Sequence, residues 1–105
     1  MSTKIESKEI ILRLIEENKG KVSKFGVKRL GLFGSYARGD QDENSDIDIL
    51  VEFSLGKKNF DNFINLAFFL EEIFQKKVEL VTTESLSPYL KPYIMKEVEY
   101  IEIAR

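Results

Sequence analysis

From Ile47 onward, apolar and charged residues alternate: Ile47, Ile49, Val51 and Phe53 fall on one side, Asp46, Asp48, Leu50 and Glu52 on the other. A period of two predicts a strand with one face toward a core. Before it, Val27 to Phe33 is a β-rich run that predicts a first strand, followed by a short helix from Ser35 to about Gly39. The N-terminal segment places Ile11, Leu14, Ile15, Val22 and Phe25 at near-helical spacing. Thr3 with Glu6 offers a capping box, Gly20 weakens the middle of that helix, and Gly26 suits its end.

FDNFINLAFFLEEIFQ then predicts an amphipathic helix, with Phe60, Phe63, Ile64, Ala67, Phe68, Leu70 and Phe74 expected in the core. VELVT, from Val78, predicts a third strand, and Pro88 and Pro92 suit starts of helical turns in the tail. Tyr100 to Ile103 suits a last short strand. Helices alternating with strands predict an α/β fold, a small mixed β-sheet with helices packed on it. At 105 residues, with no repeat or linker, residues 1–105 are expected to form a single domain.

Composition removes most kinds of chemistry. There is no Cys and no His, so there is no thiolate nucleophile, imidazole base or histidine metal cluster. An enzyme built from this chain must work with carboxylates, hydroxyls, Lys or Arg, and a hard metal ion. Lys and Arg total 16 against 18 Asp and Glu, a net charge of −2, without a basic stripe. A long nucleic acid is therefore disfavoured as a direct partner. No apolar run is long enough to span a bilayer and no signal segment opens the sequence, so no membrane role and a cytoplasmic location are expected.

Within these limits, GLFGSYARGDQDENSDIDILVEF concentrates the candidate chemistry. Gly34 lets backbone approach an anion, and Ser35 adds a hydroxyl at a helix start. Taken alone, the pair more often marks an ordinary strand–helix turn with Ser35 as its N-cap. Asp46 and Asp48 lie two apart, so they project to one strand face at about 6.5–7 Å between Cα atoms. Two carboxylates so placed suit a divalent cation such as Mg²⁺, or they are simply solubilising residues on an open face. Glu79 projects from the third strand as a further metal ligand, a general base or an exposed strand residue. The combination of a glycine–serine turn, ten residues and then D-x-D raises the functional reading above its parts.

The same segment resembles the signature of the minimal nucleotidyltransferases, the smallest members of the DNA polymerase β-like superfamily. The resemblance extends over nearly the whole chain and implies that superfamily's nucleotidyltransferase fold. It implies that Gly34 and Ser35 bind the triphosphate of ATP and that Asp46 and Asp48 hold Mg²⁺. Glu79 stands where relatives often carry Asp as the third acid, and Arg38 matches an often basic position within reach of phosphate. The family's members are typically antitoxins paired with a HEPN-domain ribonuclease, to which they transfer AMP on a tyrosine. The resemblance thus implies a hetero-oligomer with a HEPN toxin. Two alternatives are an antitoxin that neutralises the ribonuclease by binding alone and an enzyme that modifies a small molecule. An intact D-x-D argues against the first, and the absence of a second domain against the second.

Overall fold

A computed structural model describes residues 7–104 of the chain. The expected capping box of Thr3 and Glu6 lies outside the described residues. Ser7 caps the first helix, α1 (Lys8–Glu17), its hydroxyl accepting from the Ile10 N–H. The helical segment breaks at Asn18 and resumes as α2 (Lys19–Ser23), with Gly20 inside the second piece. Asn18 turns its side-chain amide back to donate to the Leu14 carbonyl, supplying a partner to the interrupted turn. Gly26, at a φ of 78°, ends the segment as expected.

Strand β1 (Val27–Phe33) leads into α3 (Ser35–Arg38), and β2 (Ile47–Phe53) leads into α4 (Phe60–Phe74). Strand β3 (Val78–Thr82), a 3₁₀ turn (Thr83–Ser85), α5 (Lys91–Glu97) and β4 (Glu99–Glu102) complete the order. The sheet runs β3-β2-β1-β4. Strand β2 is antiparallel to β1 and parallel to β3, while β4 lies antiparallel on the far edge of β1. The architecture is α/β, a small mixed sheet with helices packed on it.

One face of this sheet is the core. Leu30, Leu32, Ile47, Ile49 and Val51 are wholly buried there with Ile11, Ile15 and Val22 from the N-terminal helices. Leu66, Leu70 and Phe74 of α4 join them, spaced by one helical turn. The aromatic stripe expected in the core is thus partly misplaced: Phe60 and Phe68 are 75% and 63% exposed. Helix α4 carries apolar residues around most of its circumference, so period alone does not choose which side turns inward.

The opposite face is polar at one end. By the strand register, Asp48 stands between Phe33 of β1 and Glu79 of β3. Further along the same rows lie Leu50 and Glu52, with Gly31 of β1 between Leu50 and Tyr100 of β4. Leu50 is wholly buried although it belongs to the acidic row. A side chain on Gly31 would place its Cβ 2.5 Å from a methyl of Val98 and 3.0 Å from the Tyr100 ring. The empty position at Gly31 is what lets Val98 sit close to the sheet.

Candidate active site

The C-terminal end of β1 and the start of β2 meet as neighbours, with Phe33 paired to Asp48. This pairing brings the glycine–serine turn onto the acidic row. Gly34 is buried, at a φ of 78°. A Cβ on it would fall 2.1 Å from Oδ2 of Asp48. The glycine is therefore required twice over, by its left-handed backbone and by the carboxylate packed against it. A bulky residue at Gly34 would disturb Asp48 as well as any bound anion, so such a variant does not isolate a phosphate contact.

Ser35 opens α3 and is partly exposed, while its carbonyl accepts from the Gly39 and Asp40 N–H groups. Tyr36 and Ala37 are buried and anchor this short helix to the core. Arg38, on its last turn, is exposed and donates from Nε to Asp40 at 3.2 Å. The loop to β2 is organised by Asp42: the Asn44 N–H donates to its carboxylate, and its own N–H donates to Ser45 Oγ. Asp46 ends this loop, partly buried, and the Ile47 N–H after it donates to the Lys77 carbonyl.

Asp48 bears the largest electrostatic strain of the group. Burial, then its hydrogen bond with Glu79 and the charges of Glu79 and Asp46, push its carboxyl up to about 7, against an ordinary value of 3.8. The Arg38 charge acts in the opposite direction. Burial and two neighbouring carboxylates thus both favour the protonated form of Asp48. Glu79 is exposed and Asp48 half-buried, so the pair is open to solvent on one side.

The structure brings Gly34, Ser35, Asp48 and Glu79 together, with Asp46 and Arg38 on the flanking segments. Asp46, Asp48 and Glu79 do not converge as three ligands: among the described residues, no group of three carboxylates is disposed to hold one metal ion. Mg²⁺ is commonly held by one or two carboxylates, with phosphate oxygens and water completing its shell. The donor set here is all hard oxygen, with the Asp48 carboxyl raised by burial and by its carboxylate neighbours, and it fits such an ion. Asp46 and Asp48 are the residues that can hold it.

Sequence reasoning missed Glu97. The Gly34 N–H donates to Glu97 Oε2 at 2.7 Å, and Arg38 Nη1 donates to both Glu97 oxygens at 3.2 and 3.3 Å. Gly31 was the only local sign: a glycine inside an apolar strand marks the close passage of another segment.

Residues 11–101 match the model of the family described as nucleotidyltransferase domain. A candidate protein adenylyltransferase of Methanocaldococcus jannaschii is 42% identical over 103 residues, covering 96% of this chain and all of that protein. The protein adenylyltransferase MntA of Thermococcus cleftensis is 40% identical over 78 residues, covering 74% of this chain and 78% of its own. A solved structure of a candidate minimal nucleotidyltransferase superposes with a TM-score of 0.77 at 28% identity, covering 93% of this chain and 98% of that one. A second, a toxin–antitoxin with AMP-PNP, gives 0.62 at 31% identity, covering 80% of this chain and 70% of that one. With both motif strands and the third strand inside the matched region, the chain belongs to the nucleotidyltransferase domain family and is a nucleotidyltransferase enzyme.

Proposed function

We propose that the chain transfers AMP from ATP, with Mg²⁺, to a hydroxyl of a partner HEPN toxin, a tyrosine in the first instance, and so acts as its antitoxin. The observation that carries this reading is the packing of Asp48 on Gly34, which puts an acidic pair and a glycine–serine turn in one place. The relatives support the group transferred and the class of acceptor: they include a protein adenylyltransferase at 40% identity and a toxin–antitoxin with AMP-PNP at 31%.

Mg²⁺, held by Asp46 and Asp48, supplies charge neutralisation and polarises phosphate oxygens when bound. The chain's residues position the reactants. The Gly34 N–H, the Ser35 hydroxyl and the Arg38 guanidinium donate to the phosphate tail. In the reaction the acceptor oxygen bonds to the α-phosphorus, the bond to pyrophosphate breaks, and the hydroxyl proton leaves to a base. Glu79, exposed and paired across the strands with Asp48, is the carboxylate we assign to take that proton. With no His and no Cys, direct in-line transfer is favoured over a covalent nucleotidyl-enzyme. A phenol, with a pKa of about 10, gives up its proton far more readily than an aliphatic alcohol, which favours tyrosine.

Intact-mass measurement tests this. The partner toxin incubated with the protein, ATP and Mg²⁺ gains whole AMP units, and Asp46→Asn protein adds none. A toxin blocked without any change of mass would assign the chain to inhibition by binding alone.

A further inference from the structure

Gly34 caps α3 but has no side chain with which to do so. The anion that meets its N–H comes instead from the last residue of α5. Glu97 Oε2 accepts from Gly34 at 2.7 Å, while both Glu97 oxygens accept from Arg38 Nη1. These donors are two of the three assigned above to the phosphate tail. A carboxylate bound by a backbone N–H and a guanidinium makes the contacts that a phosphate's oxygens would make.

The position of Glu97 follows from its neighbour. Val98 rests over Gly31, where the missing Cβ leaves room, and this seats the end of α5 on the site face. Lys8 pairs with Glu99, tying the next residue to α1. The chain on either side of the peptide link is thus fixed, and the Glu97 side chain is delivered onto the turn. Its hold on Arg38 is weak by comparison: the two side chains are 21% and 50% exposed, and the contacts are at the long end of the hydrogen-bond range. Partly solvated pairs of this kind exchange partners at little cost.

We propose that Glu97 is a built-in competitor for the triphosphate: its carboxylate occupies the phosphate seat at Gly34 and Arg38, and nucleotide binds only as that side chain swings away. The proposal rests on the triphosphate reading of the turn. It makes Glu97 a residue that sets nucleotide affinity while taking no part in the chemical step. A negative side chain in the seat has two effects, both against the nucleotide. It blocks the donors, and after release it stays nearby as a like charge. Replacing it with the isosteric amide weakens both effects while keeping an acceptor for Gly34.

Calorimetric titration with ATP, run in Mg²⁺ and again in EDTA, separates the outcomes for wild-type, Glu97→Gln and Arg38→Ala protein. The expected result is about tenfold tighter binding by Glu97→Gln, in proportion to a charged hydrogen bond replaced by a neutral one, and weaker binding by Arg38→Ala. Equal or weaker binding by Glu97→Gln, with Arg38→Ala still impaired, overturns the competitor and leaves the phosphate seat standing. Failure of all three proteins to bind overturns both. Should Glu97→Gln not fold, wild-type protein answers the question by NMR: ATP must shift the Glu97 side-chain carboxyl resonance together with the Gly34 amide. A Gly34 amide that moves while the Glu97 carboxyl stays still overturns the proposal.

Discussion

Strand β2 presents two different environments on its two faces. Ile47, Ile49 and Val51 point to one side, wholly buried against helices α1, α2 and α4. Asp48 and Glu52 point to the other, partly buried, with Leu50 between them, buried beside Gly31. The first face is satisfied by packing and holds the protein together. The second puts Asp48 beside Glu79 and near Asp46, with the charge of Arg38 acting in the opposite direction. A strand that needed only stability would not arrange its outer face this way. The difference separates residues kept for folding from residues kept for chemistry.

Substitutions on the two faces should therefore change stability in opposite directions. The largest effect belongs to the core: Ile49→Ala removes a buried branched side chain and leaves a cavity, costing about 3 kcal/mol in chemical denaturation. A loss under 1 kcal/mol would mean that this face can collapse around the gap.

Asp48→Asn should act the other way, stabilising metal-free protein near pH 8 by about 1–2 kcal/mol after allowance for solvent screening. The sign follows from its carboxyl, which stands near 7 when folded against 3.8 ordinarily. Over that interval the folded state holds a proton that the unfolded state has released. The stability from Asp48 is thus fully present below about pH 4 and is lost as pH rises through 7. Denaturation midpoints of wild-type protein, compared with Asp48→Asn between pH 4 and 8, should diverge as pH increases. Parallel curves would show that Asp48 is not strained.

The smallest effect is at Glu79, which is exposed and so better screened. Glu79→Gln should change stability by only a few tenths of a kcal/mol. It should also lower the pH at which Asp48 titrates, followed by its side-chain carboxyl resonance. An unchanged Asp48 titration would remove Glu79 from the acidic pair.

Much of this was legible in the residues because the signals were local. Alternation along β2 put Asp46 and Asp48 on one row, and the β1 run ending at Gly34-Ser35 placed the turn beside it. The four strands and α3 follow the same short-range patterns. Where several phases fit equally well, the sequence was silent: α4 turns Leu66, Leu70 and Phe74 inward while Phe60 and Phe68 stay exposed. The helix break at Asn18 escaped a reading that looked to Gly20, because it depends on a side chain folding back to the Leu14 carbonyl. Glu97 was invisible for a further reason. It reaches Gly34 across 63 positions of sequence, and only the seating of Val98 over Gly31 brings it there. Contacts of that range are consequences of the assembled fold.

Thermal unfolding of wild-type and Asp48→Asn protein, each with and without Mg²⁺ and ATP, tests the division between the two faces most directly. Without ligand the variant should melt higher at pH 8. With Mg²⁺ and ATP, wild-type protein should gain stability by mass action and overtake it, while the variant gains little. Equal gains by both proteins, or a variant that melts lower from the start, would contradict the assignment of this face to nucleotide and metal.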